Sequence, residues 1–209
     1  MRLVLASNNA KKLKELGALF GALPIELVAQ GELGIPEADE PHITFIENAL
    51  AKARQAARLS GCAAIADDSG LCVDALGGAP GVISAHFAPA PAVGGEREAR
   101  RAAQDAANNA LLLQRLQGVT NRRAAFVSTL VALRHADDPE PLVAFGRWPG
   151  EILSAARGAG GFGYDPLMFI ADLGATVAEI DATVKNAHSH RARAAAQMIA
   201  LLRDAWHLG

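Results

Sequence analysis

Asp67 and Asp68 stand side by side after the apolar run Ala63-Ala64-Ile65-Ala66, and Ser69-Gly70 follow them. An apolar run closed by acids and small residues reads as a buried strand that delivers carboxylates to its exposed end. Two adjacent carboxylates there suit Mg²⁺. A hard divalent cation takes oxygen ligands, keeps several waters and needs only one or two protein carboxylates beside a phosphate chain. The same residues are also ordinary turn formers, with an Asp as cap. Other stretches must decide between the two readings.

Positive charge for a phosphate chain is available near the N-terminus. Leu3 to Ala6 is a short apolar run, Ser7-Asn8-Asn9 is a polar turn, and Ala10-Lys11-Lys12-Leu13-Lys14-Glu15-Leu16 with Leu19 and Phe20 has helical spacing. In such a strand, turn and helix, the turn amides and the helix N-terminus form an anion site, to which Lys11, Lys12 or Lys14 can add charge. The stretch is not a Walker A loop, since no glycine-framed Gly-Lys-Ser/Thr is present. Taken alone, a basic first turn is more often a solvated face than a phosphate site. Between residues 31 and 41 lie Glu32, Glu37, Asp39 and Glu40, ahead of Thr44-Phe45-Ile46-Glu47, whose capping-box spacing opens a helix through Leu59 that carries Lys52. That acidic segment either caps the helix or brings a second carboxylate to a metal held by the Asp pair.

Two later stretches can hold a ring system. Gly158-Ala159-Gly160-Gly161-Phe162-Gly163-Tyr164-Asp165-Pro166 sets glycines around two aromatics, so that backbone can approach a ligand and an exposed ring can stack on a base. The plainer alternative is a loop that needs positive φ angles. Lys185-Asn186-Ala187-His188-Ser189-His190-Arg191 leads into a helix carrying Ala195, Met198, Ile199, Leu202 and Trp206. Cationic side chains at a helix start are poor partners for its dipole, which points to a nearby anion or to recognition of a base.

The elements that position these groups follow from pattern. Ile25 to Ala29 predicts a strand, and Leu71 to Leu76 predicts another, separate from the run before Asp67 and closed by the tight turn Gly77-Gly78-Ala79-Pro80-Gly81. Residues 89–95 read as a surface linker, and Glu96 to Gln117 as an alanine-rich helix. Arg123 to Arg134 is apolar on both alternating faces, as in a central strand, and Leu142 to Trp148 returns as its hairpin partner. With 209 residues, 51% of them hydrophobic, the chain is long enough to bury a full core as one domain. A net charge of −2 with interspersed signs gives no electrostatic case for duplex nucleic acid or an anionic membrane surface. Cys62 and Cys72 lack the spacing of a zinc site and read as buried thiols. No run approaches the length of a membrane span or a signal peptide, so the cytoplasm is the expected compartment.

Laid end to end, six stretches resemble the inosine triphosphate pyrophosphatase family, in the family's order and over nearly the whole chain. They are Ser7-Asn8-Asn9-Ala10-Lys11-Lys12, Thr44 to Ala49, Ala66 to Leu71, Leu76 to Gly81, Gly161-Phe162-Gly163-Tyr164-Asp165-Pro166 and Ser189-His190-Arg191. The first stretch departs from the family's usual Thr-Gly-Asn, and Asp39-Glu40-Pro41 stands where Glu-Thr-Gly is usual. The resemblance implies an α/β fold: a long, twisted, mixed central sheet flanked by helices, in two lobes with the nucleotide in a cleft. It also implies a homodimer. The implied reaction is Mg²⁺-dependent hydrolysis of deaminated purine nucleoside triphosphates (ITP, dITP, XTP) to the monophosphate and pyrophosphate. Asp68 is then metal ligand and proton acceptor, supported by Asp67, with both expected to be ionised. The second metal ligand stays open among Glu37, Asp39 and Glu40. Lys12 and Lys52, the Ser7 to Lys12 backbone and Ser69 would bind the triphosphate; Phe162 to Asp165, Lys185, His190 and Arg191 would hold the base. Donors from His190 or Arg191 suit a 6-oxo purine and meet a donor on adenine. The motifs around Gly161 and Ser189 argue against the Maf-like pyrophosphatases, and retention of Asp67, Asp68 and Lys12 argues against a silent nucleotide-binding regulator.

Overall fold

In a computed structural model that describes residues 1–92, 94 and 96–208, the apolar runs pair into one mixed sheet. Its strands are β1 (Arg2–Leu5), β2 (Glu26–Ala29), β3 (Ala63–Val73), β4 (Arg123–Leu133), β5 (Leu142–Ile152), β6 (Met168–Ile170) and β7 (Ala175–Thr176), in the order β2-β1-β3-β4-β5-β6-β7. β1 runs parallel to both β2 and β3, whereas β6 is antiparallel to β5 and β7. The helices are α1 (Ala10–Phe20), α2 (Phe45–Ser60), α3 (Arg97–Arg115), α4 (Ala182–His188) and α5 (His190–Ala205). No described helix is long and apolar enough to cross a membrane. The predicted 89–95 linker includes Val93 and Gly95, which lie outside the described residues.

The chain divides into two units, and β3, β4 and β5 contribute residues to both. The first comprises Met1–Ser69, Val127–Arg147 and His188–Gly209; the second comprises Gly70–Phe126 and Trp148–Ala187.

In the first unit the period of two in the strands sorts side chains onto two faces. Leu3, Leu5, Ile65, Leu130 and Ala132 pack with Leu16 and Phe20 of α1 and Ala195, Met198 and Leu202 of α5. The intervening residues Val4, Ala64, Ala66, Val131 and Leu133 pack with Ala49, Ala53, Ala56 and Ala57 of α2. Capping closes α2 as its sequence predicts: the Thr44 hydroxyl accepts from the Glu47 amide and donates to the Glu47 carboxylate. In the second unit Leu71, Val73, Leu112, Phe126, Trp148 and Met168 belong to a separate apolar cluster.

β3 departs from expectation. The predicted end of one strand and start of the next are a single strand that runs straight through Asp67-Asp68-Ser69-Gly70, with both acids buried in its interior. Only Asp74–Leu76 turns, as a short 3₁₀ segment. Gly70 is therefore not a turn residue. A Cβ there would run into the Gly81 carbonyl and the Ser84 hydroxyl, and the same hydroxyl accepts from the Leu71 amide at 2.9 Å. Close approach of backbone, not a bend, requires the glycine.

Candidate active site

Because β3 is continuous, Asp67 and Asp68 leave it on opposite faces and meet different partners. Asp67 lies on the α1 and α5 face. Its Oδ2 takes the Lys12 ammonium at 3.0 Å, Arg191 Nε at 3.1 Å and the Ser69 hydroxyl at 3.1 Å, while Oδ1 accepts from Ser128 at 2.7 Å. Arg191 extends the network, donating from Nη1 to Glu15 at 2.8 Å and from Nη2 to the Ser69 hydroxyl at 2.8 Å. Burial would raise the Asp67 pKa, yet Lys12, Arg191 and the Ser128 hydrogen bond outweigh it and hold the carboxyl well below its ordinary value. Burial lowers the Lys12 pKa, and Arg191 and Lys52 push the same way against the pull of Asp67. Two cations share one carboxylate, so the carboxylate is held ionised more firmly than the lysine is held charged. For Arg191, burial is overcome by Asp67 and Glu15, which raise its pKa.

Asp68 lies on the α2 face. Its Oδ1 accepts from Lys52 Nζ at 2.9 Å, and Lys52 also reaches Glu40 Oε1 at 3.1 Å. The other oxygen, Oδ2, is buried and has no hydrogen-bond partner among the described residues. Burial pushes the Asp68 pKa above its ordinary value, Glu40 adds to the shift, and Lys52 offsets only part of it. For Lys52, burial is outweighed by Asp68 and Glu40, which raise the pKa. The two adjacent acids thus meet different surroundings. Asp67 is saturated and held ionised; Asp68 keeps an open oxygen and a raised proton affinity.

The same geometry tests the fit to a metal ion. An orphaned, buried carboxylate oxygen is a ready ligand, and Glu40 meets the same ammonium from the acidic segment. No cluster of three or more His, Cys, Asp or Glu side chains able to hold a metal exists among the described residues. A donor set of one or two carboxylates fits Mg²⁺, which retains water and takes phosphate oxygens, and does not fit a zinc or calcium cage. Glu37 and Asp39 instead line a cavity of about 350 Å³ with Pro36, Gln55, Arg58 and Leu59. Of the three acids left open by the sequence, Glu40 is the one that the structure brings to Lys52.

At the first strand-to-helix turn, the Asn9 side chain caps α1 by accepting from the Lys11 and Lys12 amides at 3.1 and 3.3 Å. The Ser7 hydroxyl accepts from the Asn9 amide at 3.2 Å. These amides, predicted to face an anion, are turned to side chains of the turn itself, and Lys12 meets Asp67. Ala10 opens the helix, and Asn8 Oδ1 is buried without a hydrogen-bond partner among the described residues. Ser189 caps α5 through the Ala192 amide, so His190 and Arg191 form its buried first turn. The anion implied by cations at that helix start is protein: Asp67 and Glu15.

The glycine-rich loop belongs to the second unit. The Phe162 amide donates to Asp165 Oδ2 at 2.9 Å, and the Asp165 amide donates back to the Phe162 carbonyl at 3.2 Å. Gly161 has φ +74°, and a Cβ there would strike the Asp165 carboxylate, so both conformation and space demand glycine. Lys185 of α4 pairs with Asp165 Oδ2 at 2.9 Å and stands 4.6 Å from the centre of the Phe162 ring. The loop's two aromatics differ. Tyr164 is buried, its hydroxyl donates to the Ser84 carbonyl at 2.9 Å and burial raises its pKa, whereas Phe162 is half-buried. Tyr164 is therefore a core residue, and Phe162 is the more exposed of the two rings.

Sequence reading missed Ser128 and Glu15, which complete the Asp67 network. A hydroxyl on the inward face of an otherwise apolar central strand was the available signal for Ser128. Glu15 gave none, since an acid in an amphipathic helix is ordinary.

The chain belongs to the Ham1 family, which it matches over residues 3–201. It is 72% identical over 206 residues to a Methylibium petroleiphilum protein named dITP/XTP pyrophosphatase, covering 99% of each chain. A Leptothrix cholodnii protein of the same name is 70% identical over 211 residues and covers 100% of each. Among solved structures, a HAM1 protein from Coxiella burnetii is 38% identical with a TM-score of 0.86, covering 98% of this chain and 99% of its own. The Staphylococcus aureus Ham1 protein is 34% identical with a TM-score of 0.82, covering 98% of this chain and 100% of its own. The mixed sheet flanked by helices and the motif-based resemblance agree with these findings.

Proposed function

We propose that the protein hydrolyses dITP, ITP and XTP to the nucleoside monophosphate and pyrophosphate, clearing deaminated purines from the nucleotide pool. The names of its full-length relatives support this substrate class. The observation that carries the chemistry is Asp68, a buried carboxylate with one oxygen on Lys52 and the other without a partner among the described residues.

In this reading a water attacks the α-phosphorus, the bond to the bridging oxygen of the β-phosphate breaks, and pyrophosphate leaves. Asp68 takes the proton of the attacking water, through the oxygen that has no hydrogen-bond partner among the described residues. Lys52 orients that carboxylate, and Lys12 and Lys52 supply positive charge for the phosphates. Asp68 and Glu40 would hold Mg²⁺, which when bound neutralises phosphate charge and orients the triphosphate for in-line displacement. Phe162 stacks on the purine and Lys185 donates to its edge; for His190 a base-recognition role is what the family resemblance implies. Arg191, with donors on Asp67, Glu15 and Ser69, has the task of holding Asp67 in place instead. A homodimer in the cytoplasm completes the reading, as the family resemblance implies.

The test is pyrophosphate release from dITP, ITP, XTP, GTP and ATP in magnesium buffer. The expected kcat/KM for the first three exceeds that for ATP by about a hundredfold or more, the scale on which a mismatched hydrogen-bonding edge is rejected. Release of orthophosphate in place of pyrophosphate, or equal rates on all five, would overturn the proposal.

A further inference from the structure

Helix α3 holds Gly163 from both sides. The Gly163 amide donates to Asp105 Oδ2 at 2.9 Å, and the Gly163 carbonyl accepts from Asn109 Nδ2 at 2.9 Å. Asp105 and Asn109 are four residues apart in α3, so both side chains leave the helix on one face. The amide of Gly163 belongs to its peptide link with Phe162, and its carbonyl to the link with Tyr164. The two contacts therefore fix both peptide planes around the glycine.

Such fixing has a purpose at this residue. Gly163 has φ +60° and no side chain of its own, and an unrestrained glycine explores more backbone conformations than any other residue. Phe162 is anchored on its other side by Asp165, through the Phe162 amide and carbonyl. With α3 gripping Gly163, the backbone on both sides of the Phe162 ring is held by hydrogen bonds. Neighbouring polar residues of α3 serve other backbone: Asn108 and Gln104 bond to Ser84, Ala85 and Ala88. Asp105 and Asn109 are the pair directed at the loop that carries Phe162.

We propose that Asp105 and Asn109 are positioning residues for the purine, presenting the Phe162 ring by clamping the backbone of Gly163. The proposal rests on the reading of residues 162–165 as the seat of the base. A preorganised ring lowers the cost of ordering the loop when the nucleotide binds, so the clamp acts on binding of the base and not on the phosphates or on proton transfer.

Steady-state kinetics on dITP, with inorganic tripolyphosphate as a base-free inhibitor, test it. Loss of a hydrogen bond to a charged acceptor in Asp105→Ala should raise KM about tenfold or more, with kcat changed less than about threefold. Inhibition by tripolyphosphate should stay within about twofold of wild type, and Asp105→Asn, which retains an acceptor for the Gly163 amide, should restore KM to within about threefold. Gln104→Ala, on the same helix, should leave KM unchanged. If Asp105→Ala does not fold, Asn109→Asp replaces it, since that change keeps the size of the side chain but removes the donor to the Gly163 carbonyl, and the same rise in KM is expected. A KM within about twofold of wild type, or equal losses in KM, kcat and tripolyphosphate inhibition, would overturn the clamp. Phe162→Ala separates the two levels. If it too leaves KM for dITP unchanged, the base seat is wrong and the clamp falls with it; if it raises KM while the Asp105 and Asn109 variants do not, only the clamp fails.

Discussion

Asp67 and Asp68, adjacent on β3, face opposite sides of the sheet, so that Arg191 and Lys12 meet the first and Lys52 meets the second. One covalent step along a strand separates a carboxylate enclosed by two cations and two hydroxyls from a carboxylate with an open oxygen. The first can organise the site; the second can react in it.

Substitution should separate the two roles. Asp68→Asn is expected to lower kcat by about a hundredfold or more, the scale for loss of a general base or of charge at a metal, and to fold normally. Asp67→Asn leaves Lys12 and Arg191 buried with their shared counter-charge removed, which costs about 3–5 kcal/mol and lowers Tm by about 6–20 °C. Kinetics and thermal unfolding of both variants provide the check. An Asp68→Asn enzyme that turns over normally at saturating magnesium would remove Asp68 from the chemistry.

The turn between β4 and β5 makes a prediction about acid stability. Arg134 grips Asp138 through Nε at 2.9 Å and Nη2 at 2.7 Å, and its own amide donates to the same carboxylate at 2.9 Å. These Arg134 side-chain hydrogen bonds, acting against burial, hold the Asp138 pKa well below its ordinary value. A carboxylate with a depressed folded pKa stabilises the fold above its unfolded pKa of about 3.9, and that contribution fades as pH falls toward the folded value. Asp138→Asn should therefore lower Tm by about 3–6 °C at pH 7, with the difference shrinking progressively below about pH 4. Activity should be unaffected. A Tm difference independent of pH would show that the charge of Asp138 contributes nothing.

Local rules made much of this chain legible, and their failures have a common cause. Thr44 and Glu47 marked the start of α2 because capping involves residues three apart, and the apolar spacing from Ala195 to Leu202 marked α5. Asp67 to Gly70 misled because Asp, Ser and Gly are individually turn formers, and nothing nearby reveals that the acids are neutralised within a strand. The Arg191 partner of Asp67 lies 124 positions away, and the Asp67 carbonyl meets the Lys12 ammonium across 55. Lys12, Lys52 and Arg191, which pair with the two acids, stand out in the sequence, but their division between Asp67 and Asp68 depends on strand alternation, which requires knowing that β3 does not break. β6 and β7, three and two residues long, are too short for any periodicity to appear.

Arg191 offers the sharpest test of how the site is organised. A role in reading the base would have its guanidinium donate to the 6-oxo group, so Arg191→Ala would penalise ITP and XTP and spare the low activity on ATP. The geometry gives a different expectation. Nε, Nη1 and Nη2 each meet a protein acceptor, on Asp67, Glu15 and Ser69, and the side chain is 5% exposed. Truncation would leave Glu15 and Asp67 without their buried cation, with Lys12 alone to balance Asp67, at a cost of about 3–5 kcal/mol. Arg191→Ala should accordingly reduce kcat/KM for ITP, XTP, GTP and ATP by a similar factor and lower Tm by about 6–20 °C. Arg191→Lys keeps the charge but cannot span three acceptors from one ammonium, so it should recover part of the stability and little of the activity. Parallel kinetics on the four triphosphates, read beside the melting curves, distinguish the two roles: a selective loss on ITP and XTP at unchanged Tm would return Arg191 to the base.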